Sequence, residues 1–484
     1  MVAASTSWLA IYIGIGWVIR LLMVPVILRR QFAPGAAVAW LGIIFLHPII
    51  GLTLYTLLGE TRLGPHRVER HRALVDRFRS ELRNAVGRDD STCSLQLSPE
   101  YDPMVRQADK ISGLPVLGGN SLELLTEDTA LIERLVADID SATSHVHLLY
   151  YIFAPDKTGK RVADAVVRAS QRGVKCRVLV DAVASRTFFH KGCGLSERLK
   201  AGGVSVQAAL PVAPIQRRIP RMDLRNHRKL SVIDQKVAYA GSHNLVNADY
   251  DGRHGGPWID ATARYTGPIV TEFAVVFAED WGFETDEILE VCMKGVGTPL
   301  SEDVAMQVVP TGPTSPAESF RRVFLAAIQS AQKRVIMTTP YFVPDEPSLV
   351  SLMMAADRGA DVSLLVPKEP DHFFTAAAGR AHFGRLMNSG VRIFQYHPGL
   401  LHTKSTTVDD TFAVFGSANL DVRSFNLNFE LTTLVYGAAA TAQIRNLQES
   451  YLTHCDPLDP AVWARRSAID RYGDSAISLL SPLL

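Results

Sequence analysis

The sequence predicts an α/β protein built from two duplicated lobes with pseudo-two-fold symmetry, preceded by an N-terminal transmembrane helical hairpin. Three observations predict this. The first sixty residues hold two long apolar runs, the remainder alternates strand-like with amphipathic helical runs, and the pattern H-x-K-x4-D-x6-G-S-x-N occurs twice. Its copies are NHRKLSVIDQKVAYAGSHN, from Asn226, and LHTKSTTVDDTFAVFGSAN, from Leu401.

The 484 residues are too many for one typical core and suggest roughly two to four domains. Hydrophobic residues make up 47% of the chain and charged residues only 20%, an excess that calls for a membrane-embedded part. With 50 basic and 49 acidic residues the net charge is +1, so no global positive field recruits nucleic acid. The five cysteines, Cys93, Cys176, Cys193, Cys292 and Cys455, form no C-x-x-C pair and fit a reducing compartment.

The apolar runs, Trp8 to Leu28 and Ala36 to Leu58, each approach the roughly 20 residues that cross a bilayer as a helix. Arg29, Arg30, Pro34 and Gly35 form the turn between them. No basic residue precedes the first run and a second run follows it, which argues against a cleaved signal peptide. Arg20 is costly inside the first run unless it snorkels, faces the partner helix, or the helix starts later. Trp40 and Tyr55 stand where interfacial aromatics are expected. Arg62, Arg67, Arg70 and Arg72 outnumber Arg29 and Arg30, which favours a cytoplasmic catalytic domain.

Beyond residue 110 the order helix, strand, turn, helix, strand recurs. IERLVADIDSATSHVHLLYYIFAPD and VADAVVRASQRGVKCRVLVD are matched by FRRVFLAAIQSAQKRVIMTTPYFVPD and LVSLMMAADRGADVSLLVP. A Gly/Pro-rich connector from Gly295 to Pro316 joins the halves. The expected division is two transmembrane helices (1–60), a basic juxtamembrane linker (61–110), a first lobe (111–294) and a second lobe (295–484). The site is expected between the lobes.

In each motif one residue separates histidine from lysine, so on a strand both face the same way. His227 with Lys229, and His402 with Lys404, can therefore converge on one ligand. Gly241 and Gly416 permit a turn, after which Ser242, Asn244, Ser417 and Asn419 offer hydrogen bonds to substrate. Two imidazoles, two ammonium groups and neutral donors suit a phosphate site with nucleophilic and acid–base capacity. Asp234 and Asp409 either orient a catalytic group or serve structure. No H-E-x-x-H or Walker loop occurs, and no metal or cofactor is expected. The pairs Asp138/Asp140 and Asp249/Asp251 are too weak a signal for magnesium. His145 and His147 read as core or edge residues, while Arg217, Arg218, Arg221, Arg225 and Arg228 lean toward gripping anionic headgroups.

At these motifs the chain resembles the phospholipase D superfamily, with its twin HKD motifs, and within it the bacterial cardiolipin synthases. AVAWLGIIFLHPIIGLTLYTLLGE, PWIDATARYTGPIV, GSANLDVRSFNLNFE and the closing LLSPLL carry the narrower likeness. The resemblance implies phospholipase D-like α/β/α lobes in a bacterial inner-membrane enzyme. It also implies metal-free phosphatidyl transfer from one phosphatidylglycerol to another, giving cardiolipin and glycerol. His227 would be the nucleophile and His402 the acid–base, with Glu430 behind His402 and Asp260 behind His227. Membrane lipids are then its partners, nucleic acid is not, and the oligomeric state stays open, a homo-oligomer included. The rivals are a phospholipase D or a phosphatidyltransferase with another donor or acceptor, a nuclease of the superfamily, and a non-catalytic lipid-binding scaffold.

Overall fold

Runs such as HVHLLY and DVSLLVP hold too few polar residues to face water on either side, and they become interior strands covered on both faces. The computed structural model describes residues 2–30, 34–59, 63, 65–86, 97, 99–192, 194–212, 223–250, 256–293, 304–316, 318–479 and 481. They form two units, one of Met1–Pro65 with Val212–Leu224 and one of His66–Pro211 with Arg225–Leu484.

The larger unit is organised on a 15-stranded sheet. In the first half, His145–Tyr150, Lys175–Asp181 and Ser205–Ala209 pair in parallel, and His145–Tyr150 lies antiparallel to the motif strand Lys229–Ile233. That strand turns into Val237–Gly241, which pairs with Thr262–Thr266. The second half repeats the order: Arg392–Tyr396, Asp361–Pro367, Arg334–Thr338, Ser405–Val408, Phe412–Gly416, Glu430–Tyr436. Leu117–Leu125 and Val304–Thr311 close the seam by pairing antiparallel with each other.

Val304–Thr311 falls inside the stretch expected to be a connector. Its nearly continuous apolar run VAMQVV suits a strand covered on both faces, and it lies between Leu117–Leu125 and Glu430–Tyr436 with nearly every side chain buried. Proline and glycine at both ends of that stretch masked a strand in its middle. The expected linker 61–110 likewise contains the helices Pro65–Val86 and Asp102–Ser112. Leu74, Phe78 and Leu82 recur at intervals of four on the first of these and lie in the same core as Phe273, Phe277, Met306 and Val308. Arg67 and Arg70 pair with Glu284 and Asp286, so these cations serve the body of the protein. Arg62 lies outside the described residues.

Capping follows the duplication. Asp156 and Asp345, each in a P-D pair, accept from Gly159 N at 2.9 Å and Ser348 N at 3.1 Å and start matching helices. The helix Ile269–Glu284 is apolar on almost all sides and lies buried against strands of both halves.

In the N-terminal unit, the helix Val2–Arg29 contains a stretch, Ala10–Arg29, long and apolar enough to cross a membrane. The second run departs from the expected single span. It forms Pro34–Leu46, breaks at His47, and resumes as Pro48–Leu54. Pro48 has no N–H to continue the ladder. A Cβ on Gly51 would stand 2.7 Å from the Cα of Ile44, so the chain folds sharply back, since two turns of straight helix would separate them by about 10 Å. Arg20 resolves its cost here: its guanidinium donates to the Phe45 carbonyl at 2.9 and 3.1 Å, at the broken helix end. Of the cysteines described, Cys176, Cys292 and Cys455 are free.

If the Pro65–Val86 helix belongs to the core, Phe78→Ala lowers unfolding stability by about 3–5 kcal/mol, whereas the exposed Arg77→Ala changes it by less than about 0.5 kcal/mol. Denaturant titration of the detergent-solubilised protein distinguishes this from a linker, for which both values would be small.

Candidate active site

The segments entering the two motif strands cross to the opposite half. His227 N donates to the Phe429 carbonyl at 2.9 Å, and Phe429 N donates back to the Arg225 carbonyl at 2.9 Å. In the pseudo-symmetric position Leu400 and Leu401 pair in parallel with Trp258 and Ile259, and His402 N donates to the Ile259 carbonyl at 2.9 Å. Each histidine is thereby laid beside the start of the strand that carries the other half's carboxylate.

The carboxylate partners are therefore exchanged relative to the sequence-based expectation. His227 Nδ1 lies 3.0 and 3.1 Å from the two Glu430 oxygens, and His402 Nδ1 lies 2.6 Å from Asp260 Oδ1. Glu430 belongs with His227, and Asp260 with His402. A duplicated pattern fits both pairings equally, and only the crossing segments decide between them.

The two serines also take a different place from the one expected. Ser417 Oγ donates to Glu430 at 2.5 Å and Ser242 Oγ donates to Asp260 at 2.6 Å, both fully enclosed. Each motif's serine thus holds the carboxylate that holds the other motif's histidine. Ser424 Oγ and Asn428 Nδ2 add donors to Glu430 at 2.9 and 3.4 Å. Asn244 Oδ1 accepts from Ile152 N at 3.1 Å and so serves the backbone, while Asn419 Oδ1 is buried with no hydrogen-bond partner among the described residues.

Gly241 and Gly416 are required by close approach rather than by a turn. A Cβ there would stand 2.4 Å from the Ala261 carbonyl and 2.2 Å from the Leu431 carbonyl.

Asp234 and Asp409 are not brought to the histidines. Each sits in the hairpin turn at the far end of its motif strand, about 16 Å along the chain from the lysine. Both adopt positive φ, 51° and 49°, which aspartate tolerates better than most residues. Asp234 accepts from the backbone N–H groups of Thr143, Ser144 and His145, and Asp409 from those of Gln332, Lys333 and Arg334. Those amides, which precede the neighbouring strand, explain why a carboxylate is needed there.

Lys229 and Lys404 are almost fully buried, and each Nζ donates to its own histidine's carbonyl, at 2.7 and 2.6 Å. Burial, with the charge of both lysines, holds both imidazoles below the ordinary histidine range, against the pull of their carboxylates. The influence of Lys404 on His227, and of Lys229 on His402, marks one shared electrostatic site. Burial also depresses both lysines, Lys404 to about 8. Burial works against the charges of Glu430 and Asp260, but their hydrogen bonds and the nearby cationic groups together hold both below the ordinary carboxylate range. Neutral imidazoles that donate from Nδ1 leave the Nε2 lone pairs as the reactive atoms.

Arg225 and Arg228 are tied to buried carboxylates and do not turn into the catalytic site. Arg225 is buried on Asp181 at 3.3 Å, and Arg228 on Asp280 at 2.6 Å. Arg217, Arg218 and Arg221 lie outside the described residues. His147 stacks on Phe277 at 4.5 Å beside His145, in keeping with a packing role. Asp138 accepts from Arg264 in a largely buried ion pair and Asp140 from Arg168 in an exposed one, and Asp251 lies outside the described residues. Among the described residues no group of three or more His, Cys, Asp or Glu side chains is arranged to hold a metal ion.

Sequence reasoning missed Tyr151, whose ring centre lies 4.7 Å from that of His227 in a T-shaped contact and 5.0 Å from Lys229 Nζ, and Trp258, whose ring centre lies 4.5 Å from that of His402. Tyr151 lies within the YYIF run and Trp258 within PWID, where nothing in the sequence sets either apart from an aromatic of the core. Trp258 also lines a cavity of about 470 Å³ with Tyr396, Tyr451 and His454.

The profile described as "Cardiolipin synthase, PLD-like domain" matches residues 135–281 and 324–451 of the chain. Cardiolipin synthase A of Edwardsiella ictaluri (strain 93-146) is 35% identical over 486 residues, covering 99% of this chain and 98% of that protein. Cardiolipin synthase A of Yersinia pseudotuberculosis serotype O:3 (strain YPIII) matches with the same identity and coverage. Among solved structures, phosphatidylserine synthase of Haemophilus influenzae Rd KW20 shares the fold, with a TM-score of 0.59 and 15% identity over 79% of this chain and 100% of that one.

Glu430→Gln and Asp260→Asn keep the shape of each relay and remove its charge, so each is expected to lower turnover by about 10²- to 10⁴-fold. Asp234→Asn and Asp409→Asn should instead cost about 1–3 kcal/mol of stability with turnover of the folded enzyme within a few-fold of normal. Steady-state rates and denaturant midpoints on the four variants separate the two classes.

Proposed function

Because the chain belongs to the cardiolipin synthase family of phospholipase D-like proteins, we propose that it joins two phosphatidylglycerol molecules into cardiolipin with release of glycerol. The enzyme is a phosphatidyltransferase associated with the membrane. The observation that carries the finer reading is the pair of crossed histidine–carboxylate–serine relays, which puts one imidazole from each half into one site.

In the first step His227 Nε2 attacks the phosphorus of one phosphatidylglycerol. The bond from phosphorus to the glycerol oxygen breaks, and that oxygen takes its proton from His402 Nε2. In the second step the terminal hydroxyl of another phosphatidylglycerol gives its proton to His402 and attacks phosphorus. The P–N bond breaks, cardiolipin leaves, and both histidines return to their starting states. The lysines and the Asn419 side chain surround the charge that builds on the phosphoryl oxygens.

The relays differ in a way that supports this order. Asp260 lies only 2.6 Å from His402 Nδ1, which favours an imidazolium there. Glu430 divides its charge among Ser417, Ser424, Asn428 and a longer contact to His227, which leaves His227 more readily neutral and nucleophilic. Lys229, Lys404, Glu430 and Asp260 balance to zero. A phosphodiester entering this group adds one negative charge, and a proton on His402 restores neutrality, so the anionic substrate itself favours the acid form.

Transfer wins over hydrolysis when water is excluded and the lipid hydroxyl is held in place. An apolar N-terminal anchor on the cytoplasmic face of a bacterial inner membrane would keep both lipids at high effective concentration.

Purified protein given phosphatidylglycerol alone is expected to form cardiolipin and free glycerol, and His227→Ala and His402→Ala to form neither. Phosphatidic acid as the main product would assign a hydrolase, and a need for a second lipid another donor or acceptor. With a phosphatidyl substrate whose leaving group needs no proton, His402→Ala should accumulate acid-labile phosphorylated enzyme and His227→Ala none; the converse reverses the two roles.

The free-enzyme profile of kcat/KM against pH should show an acid limb below the ordinary histidine range, because His227 must be neutral and its pKa is depressed. In kcat, where the bound phosphodiester keeps His402 protonated, activity should fall as pH rises through about 8, where Lys404 loses its charge.

A further inference from the structure

His227 and Lys229 face the reaction, so Arg228 between them points to the other side. It is 4% exposed, and donates to the Glu430 carbonyl at 3.0 Å, to Asp280 at 2.6 Å and to the Thr311 carbonyl at 3.1 Å. Beyond it opens a cavity of about 820 Å³, within the range of small-ligand sites. The helix Pro65–Val86, the end of Asp102–Ser112 and the turn after Val304–Thr311 enclose it.

The walls are cationic. Arg72, Arg79, Arg83, Lys110 and Arg228 line it against three carboxylates, Asp76, Asp109 and Glu279. Arg79 is engaged by Glu279 at 3.3 Å and Arg83 by Asp109 at 2.8 Å, whereas Arg72 and Lys110 have no ion pair among the described residues. His71 reaches the cavity with only 6% of its surface exposed, and its Nδ1 has no hydrogen-bond partner among the described residues. A buried ring nitrogen left unpaired is costly unless a ligand or water supplies the missing contact. Ser80, Thr314 and Ser315 add hydroxyl groups, and Val75 and Ile111 supply too little apolar wall for an acyl chain.

We propose that this cavity is a second anion site, separate from the catalytic one, that takes a phosphate group on the reverse side of the first motif strand. Excess cations, hydroxyl donors and an unsatisfied imidazole suit phosphate oxygens, and the volume admits a phosphate with a polar substituent. The same cationic field, after burial, holds His71 down to about 3, a strain on the imidazolium that an anion would relieve. The phosphate could be carried by a free phosphorylated metabolite or by a lipid headgroup at the cavity mouth.

The test is calorimetric titration of inorganic phosphate into the full-length protein in neutral detergent, compared with Arg72→Gln/Lys110→Gln and with Arg106→Gln, an exposed arginine outside the cavity. Wild type and Arg106→Gln should bind phosphate in two classes. The double variant should lose one class, or weaken it at least about fivefold, with phosphatidylglycerol turnover unchanged. A parallel arm measures cosedimentation with phosphatidylcholine vesicles with and without phosphatidylglycerol. A defect in the double variant seen only with phosphatidylglycerol vesicles assigns the site to a headgroup, and one seen with inorganic phosphate assigns it to a free phosphate. Identical behaviour of wild type and double variant in both arms overturns the proposal. Because the readout is binding, it stands or falls independently of the transfer reaction.

Discussion

Everything in the site depends on the exchange of carboxylates across the seam. A histidine buried beside two lysines has no fixed orientation and little capacity to carry a proton during turnover unless an anion holds Nδ1, and here that anion always comes from the other half. Glu430 and Asp260 can themselves stay charged in the interior only because serines and histidines pair with them. Removing one member leaves a buried charge without a partner. The sheet, the crossing segments and the glycine contacts serve this arrangement, for Gly241 and Gly416 let the neighbouring strands approach closely enough for Ser242 and Ser417 to reach their carboxylates.

The duplicated α/β order and the identity of the two histidines and lysines were legible because each rests on spacing along one chain. What was not legible depended on contacts between distant segments. Glu430 and Asp260 were named from the sequence but matched to the wrong histidines, since symmetry made both assignments equally consistent. Ser242 and Ser417 looked like substrate donors because a small polar group at a strand end usually points outward, and only the 2.5–2.6 Å bonds to carboxylates show them turned inward. The spacing of Asp234 and Asp409 was regular for a reason unrelated to catalysis, namely the backbone amides each must satisfy in its turn.

The same limit explains the two segments misjudged in the fold. Val304–Thr311 lies between glycine- and proline-rich ends that signal a loop locally, yet the gap between Leu117–Leu125 and Glu430–Tyr436 can be filled only by a strand. The apolar run from Ala36 to Leu58 has the length of a span, but one proline after His47 ends the helix and the chain bends back on itself. Hydropathy counts residues, and it is blind to a missing N–H. The Arg20 contact with the Phe45 carbonyl turns an apparent liability into the group that completes the broken end.

The crossed relays also make incompleteness total. A chain holding one half would carry a histidine with no carboxylate to steady it and a carboxylate with no histidine to serve. Such a fragment could act only as a pair of identical copies, each completing its neighbour, and every change to one half-site would then have been imposed on both. Joining the copies end to end ended that compulsion. Aspartate could settle on one side and glutamate on the other, and a symmetric scaffold became free to hold two histidines of unequal temperament.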